Sequence, residues 1–179
     1  MKIALIGAHG TGKTTLAHEL VSSLKKQDIN AGFLGELIRS CPFPINQDQN
    51  IKTSEWTIYG QYLKELEMEE KCDILVCDRS VIDGYVYSVN MLGRNSLLEN
   101  FVRAKSSSYS LLIRVPMNPL YLKDDNFRSL DLDFQKAIDE KFNEVLRMLS
   151  IHPVNYSSTN EITKYIARDL CKRKLPGMK

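Results

Sequence analysis

The stretch Gly7-Ala8-His9-Gly10-Thr11-Gly12-Lys13-Thr14-Thr15 decides how this chain is read. Before it lies the apolar run Ile3-Ala4-Leu5-Ile6, which reads as a short buried strand ending at Gly7. After it, Leu16, Ala17, Leu20, Val21 and Leu24 recur at three and four residues, the mark of one helix face over Lys13–Lys26. Strand, glycine-rich loop and helix in that order make a phosphate cradle. Gly7, Gly10 and Gly12 permit positive φ, so backbone N–H groups can close around phosphate oxygens. The helix behind them turns its positive end toward the same anion. Lys13 supplies a cation for the outer phosphates, and Thr14 offers a hydroxyl to Mg²⁺. The candidate nucleotide contacts are therefore Gly7, His9, Gly10, Thr11, Gly12, Lys13, Thr14 and Thr15. His9 has no partner identifiable from sequence, so it reads as a side chain facing solvent or substrate.

Outward from the loop, strand-like and helix-like segments alternate. Gly32–Gly35 is a weak second strand, and the Pro-, Asn- and Gln-rich segment Cys41–Thr53 reads as a loop. Ser54 is placed to cap a helix running to about Glu70. Asp73–Cys77 gives the clearest strand signal. Helical patterns follow over Val81–Leu92 and Ser96–Ala104, then a fourth strand over Leu111–Val115 that Pro116 stops. Asn118–Ser129 is a polar loop, Asp133–Leu149 a long helix, Ile151–Tyr156 a last strand and Glu161–Leu170 a last helix. Such alternation implies βαβ crossovers and a parallel sheet, hence an α/β fold. The 179 residues suit one domain with a full core over 1–179.

Composition removes several function classes. With 43% hydrophobic and 26% charged residues the chain is not a disordered one. A net charge of +2 argues against a nucleic-acid partner, and no apolar stretch reaches the length of a membrane span. The basic end CKRKLPGMK reads as a solvated tail. Cys41, Cys72, Cys77 and Cys171 lack CxxC spacing, which favours reduced thiols over a zinc site. Together with an N-terminal apolar run too short for a secretion signal, this makes the expected location cytoplasmic.

The cradle leaves three fates for a phosphate: a timed switch, a motor stroke, or transfer. A guanine-reading switch needs Asn-Lys-x-Asp and Asp-x-x-Gly, and neither string occurs. A motor carries Glu directly after its strand-end Asp, whereas here Asp78 is followed by Arg79. Asp78 at the carboxyl end of a strand lies where open α/β sheets bind ligands. It can take a proton from an attacking hydroxyl or help to hold Mg²⁺, and Arg79 can grip the acceptor or the moving phosphoryl group.

The spacing GxxGxGKT resembles that of P-loop nucleoside and nucleotide kinases. The run Asp78-Arg79-Ser80-Val81-Ile82-Asp83-Gly84-Tyr85-Val86-Tyr87 resembles the DRS/DRT-x-x-D-x-x-x-Y signature of a family of small P-loop kinase-like ATPases. That family includes the ribosylnicotinamide kinase domain of the bifunctional NadR proteins. The loop Asp124-Asp125-Asn126-Phe127-Arg128-Ser129 is similar to the family's Asp-Gly-x-Arg lid, with Asn126 where Gly is usual. The resemblance implies a three-layer P-loop NTPase fold, a five-stranded parallel sheet in the order 2-3-1-4-5, ATP with Mg²⁺, and Arg128 closing over the phosphates. It also places the acceptor between the end of strand two, the following helix and the DRS segment. The candidates there are Glu36, Arg39, Gln61, Asp83 and Tyr87, with Glu36 an alternative to Asp78 as the base. Trp56, Tyr59 and Leu63 share one helical face and read as packing. Asp83 caps its helix or binds the acceptor. The expectation is an ATP-dependent small-molecule kinase acting on a nucleoside, nucleotide or ribosyl compound. The alternative is a regulatory NTP-binding module that signals to a protein partner. The oligomeric state stays open, a homodimer included.

Overall fold

The computed structural model describes residues 1–117 and 131–174. Among these, β1 (Lys2–Ile6), β2 (Ala31–Leu34), β3 (Ile74–Asp78), β4 (Leu111–Arg114) and β5 (Val154–Asn155) form one parallel sheet in the order β2-β3-β1-β4-β5. The helices are α1 (Lys13–Lys25), α2 (Ile51–Glu69), α3 (Val81–Leu92), α4 (Ser96–Ser106), α5 (Leu132–Leu149) and α6 (Thr159–Lys174).

β1 and β3 are buried along their whole length, as central strands covered on both faces must be. Their side chains alternate between two cores. Ile3, Leu5, Ile74 and Val76 face α1 and α6, burying Leu16, Leu20, Leu24, Ile162 and Ile166. Ala4, Ile6, Leu75 and Cys77 face the other way, onto Ile58, Ile82, Tyr85, Val102 and Phe142 from α2 to α5. The result is three layers with the sheet in the middle. Gly84 lets α3 lie close on α2, because a Cβ there would stand 2.9 Å from Ile58 Cγ1.

Several boundaries move from their sequence expectation. α2 begins at Ile51, not at Ser54. Its cap is Asn50, whose side chain accepts from Lys52 N (3.0 Å) and Thr53 N (3.3 Å). Ser54 is fully buried instead, and its hydroxyl takes a hydrogen bond from Gln49. Trp56, Tyr59 and Leu63 do not form a packed stripe: Leu63 is 57% exposed and Tyr59 38%. The inward face of α2 carries Ile58, Gln61 and Glu65. Cys41, Cys72 and Cys77 are free thiols. No described helix is long and apolar enough to cross a membrane.

Candidate functional site

Parallel strands bring their carboxyl ends to one edge, and the site is built there. The register sets Leu5 beside Asp78, Leu34 beside Cys77 and Ile6 beside Arg114. The chain leaves that edge at Gly7, Glu36, Arg79 and Val115, so groups far apart in sequence meet around the loop after β1.

The loop has the conformation its glycines allow, with φ of 151° at Gly7, 65° at Gly10 and 83° at Gly12. Gly7 has a second constraint. A Cβ there would meet the Val115 carbonyl oxygen at 2.7 Å and Arg114 Nη1 at 2.8 Å. Gly12 precedes α1 without a side-chain cap, which leaves the first-turn N–H groups of α1 directed at the cradle. Lys13 folds back, donating to the Ala8 carbonyl and to Thr11 Oγ1 (3.1 Å). Burial, with repulsion from Arg79 added, lowers the Lys13 pKa to about 7. An anion in the cradle would reverse that shift by pairing with the ammonium.

Thr14 Oγ1 donates to Asp78 Oδ2 at 2.5 Å. The pair presents two hard oxygens beside the loop. Mg²⁺ takes one or two protein oxygens and fills its octahedron with phosphate and water, so these residues fit it. Among the described residues no group of three or more His, Cys, Asp or Glu could hold a metal without such help. A groove of about 330 Å³ runs along the outer side of the loop, lined by Thr11, Gly12, Thr15, Pro116 and Tyr156 among others.

On the other side lies a cavity of about 70 Å³, between the β2–α2 segment, α2 and α3. Glu36, Arg39, Gln61, Arg79, Asp83 and Tyr87 all line it, as does His9. Asp78 is not in the lining; it stands at the Thr14 side. Leu37, Ile38 and Ile45 give the cavity apolar walls.

One ion cluster organises this cavity. Glu36 Oε1 accepts from Arg79 Nε at 2.5 Å, and its Oε2 accepts from Arg39 Nε at 3.2 Å. Arg79 Nη1 lies 3.8 Å from Asp83 Oδ1, and its guanidinium sits 5.4 Å from the Tyr87 ring centre. Burial alone would lower the Arg79 pKa, but Glu36, Tyr87, Asp83 and Asp78 outweigh it and hold the guanidinium firmly charged. Arg79 itself has φ of +90°, a conformation that strains a non-glycine residue by about 1–3 kcal/mol.

Asp83 holds three donors. It accepts from Ser80 N (2.9 Å) and Ser80 Oγ (2.8 Å), closing the capping box of α3, and from Gly7 N (3.1 Å). It thereby ties the start of α3 to the start of the loop. Burial raises its pKa against the pull of Arg79 and Lys13.

His9 is only 3% exposed, so of the two positions expected from sequence, facing solvent or facing substrate, the solvent-facing one does not hold; His9 lines the cavity instead. Its N–H donates to Tyr87 Oη (3.1 Å), its Nδ1 is 2.8 Å from the same oxygen, and its carbonyl accepts from Gln135 Nε2 (2.6 Å). Its ring centre is 5.5 Å from that of Phe134. Gln135 and Phe134 start α5 and were invisible as site residues, because only the fold brings them to position 9. Gln61 commits its amide to Glu65 Oε1 (2.9 Å) and to the Arg79 carbonyl (3.3 Å). Arg128 lies outside the described residues, as does the rest of the expected lid.

The AAA domain family matches residues 2–161. No curated protein matches the sequence. Among solved structures, a thymidylate kinase from Candida albicans, described as having broad substrate specificity, shares the fold with a TM-score of 0.60. The two are 15% identical, and the match covers 97% of this chain and 92% of that one. The fold is thus that of a P-loop nucleotide kinase, and neither comparison singles out the ribosylnicotinamide kinases.

Proposed function

The chain belongs to the AAA domain family, and on that premise we propose that it is an ATP-dependent phosphotransferase for a small nucleoside-like, nucleotide-like or ribosyl acceptor. One observation carries the reading. Beside the phosphate loop lies a second, separate cavity with two carboxylates, Glu36 and Asp83, and two guanidinium groups, Arg39 and Arg79, in its wall. A module that only bound and hydrolysed a nucleotide would have no use for it.

The loop amides and the N-terminus of α1 bind the outer phosphates, and Lys13 leaves the Ala8 carbonyl to join them. Thr14 and Asp78 would hold Mg²⁺, which neutralises charge on the β- and γ-phosphates. Glu36 lines the acceptor cavity and Asp78 does not, so Glu36 orients the attacking hydroxyl and takes its proton. Arg79 stands between the cavity and the loop, where its charge offsets that of the moving phosphoryl group. Arg128 is assigned to a closing lid on sequence resemblance alone. The site is assigned to a single domain over 1–179.

The test is ATP turnover against nucleosides, nucleoside monophosphates and nicotinamide riboside. At least one acceptor should raise turnover above background. Glu36→Gln and Asp78→Asn should each lower that stimulated rate by about 100-fold or more. The reading is wrong if no acceptor stimulates turnover and Asp78→Asn leaves the background rate unchanged.

A further inference from the structure

Behind the acceptor cavity lies a polar cluster that shares only Gln61 with the cavity wall. Its hub is Glu65 on α2, 1% exposed. Glu65 Oε2 accepts from Lys2 Nζ at 2.9 Å. Its Oε1 accepts both from Tyr109 Oη at 2.7 Å and from Gln61 Nε2 at 2.9 Å. Lys2 also reaches Glu69 at 2.8 Å and stands 4.7 Å from the centre of the Tyr109 ring.

The two groups that Glu65 holds both end on the turn after β3. Gln61 Nε2 donates to the Arg79 carbonyl at 3.3 Å, and Tyr109 Oη accepts from Val81 N at 3.1 Å. A third bond, from Arg79 N to the Leu5 carbonyl, closes the other side at 3.1 Å. The turn so gripped contains the left-handed Arg79. An arginine stays in that conformation only where its surroundings over-determine it. Relaxed to negative φ, its Cα–Cβ bond would swing and carry the guanidinium off Glu36.

We propose that Glu65, acting through Gln61 and Tyr109, is a positioning residue that holds the Arg79 turn left-handed and so aims the guanidinium at Glu36 and the acceptor cavity. Neither Glu65 nor Tyr109 lines that cavity, so their action on it is indirect. A buried carboxylate with a lysine partner is weak evidence of stabilisation by itself. Here the geometry gives the cluster a positional task, because both arms grip the strained turn that carries Arg79. The effect on catalysis rests on the phosphotransferase reading; the effect on Arg79 does not.

The experiment is a double-mutant cycle with a spectroscopic readout. Gln61→Met keeps the side-chain length and removes the donor to the Arg79 carbonyl. It should lower kcat for phosphoryl transfer by about 10- to 100-fold and leave KM for ATP unchanged. In an Arg79→Gly background, where the turn is unstrained and no guanidinium remains, it should cause no further loss. In arginine-labelled protein the Arg79 Nε–H resonance, shifted downfield by the bond to Glu36, should move toward that of a solvated arginine. Tyr109→Phe should act in the same direction and decides the matter should Gln61→Met fail to fold. An unmoved Arg79 resonance overturns the proposal, and so does a rate loss that adds fully to that of Arg79→Gly. A wild-type protein that transfers phosphate to no acceptor overturns the kinase reading instead, and the resonance still decides the fate of the positioning claim.

Discussion

Lys13 carries a property that its place in a motif does not reveal. It is buried against the Ala8 carbonyl, and its pKa is lowered from 10.5 to about 7. The sign follows from linkage. Between pH 7 and the unfolded value the unfolded chain binds a proton that the folded chain does not, so this group makes stability rise with pH across that window. Nucleotide phosphates restore the charge, so binding ATP at pH 8 should take up close to one proton. Calorimetry in buffers of different ionisation enthalpy measures it, and binding without proton uptake would refute the assignment. The identity of the loop and of Asp78 as chemical groups was readable from residue type and spacing, and Glu36 entered only through the family resemblance. Their partners were not readable. Glu36 and Arg79 pair across 43 positions, and His9 finds Gln135 across 126. No local pattern carries such distances. For the same reason no local pattern shows that Gln61, at the cavity wall, donates to Glu65 and to the Arg79 carbonyl.

Elements were most legible where their ends carry chemistry. α3 runs over Val81–Leu92 as its pattern predicts, because Ser80 and Asp83 make a reciprocal box at its start. α1 follows its glycine loop with the same fidelity. α2 was misplaced at its start because the stretch before it offers several capping residues, and burial decides among them. Ser54 is enclosed by tertiary contacts, while Asn50 stays where its side chain can reach the Lys52 and Thr53 N–H groups. Asn50→Ala should therefore cost about 1 kcal/mol in urea unfolding, the usual worth of such a cap. A smaller loss would show that α2 is held by its packing rather than by its cap. The outer face of α2 misleads for a related reason. Its apolar spacing is helical, but the helix turns Ile58, Gln61 and Glu65 inward and leaves Leu63 in solvent. Periodicity announces a face without saying which one is covered.

At the scale of the molecule, the sheet separates two cores, and the site sits at the edge where both end. The P-loop leads into α1 and its Thr14 bonds Asp78 at the end of β3, so a ligand bound there should stabilise the whole fold cooperatively. With Mg²⁺ and a non-hydrolysable ATP analogue at 100 times its Kd, the unfolding free energy should rise by about 2.7 kcal/mol in a single transition. A biphasic transition would mean that the two sides unfold apart. The sequence by itself determined the alternation of strands and helices, the phosphate loop and the kinds of group available for chemistry. These depend on hydrogen bonds and spacings that close within a few residues. Only the tertiary structure decided that Glu36 lines the cavity beside α2 while Asp78 faces Thr14, that His9 is buried, and that Glu65 reaches Arg79 through Gln61. Those pairings depend on strand order and register, which are settled when distant apolar faces bury one another and carry their polar neighbours into contact.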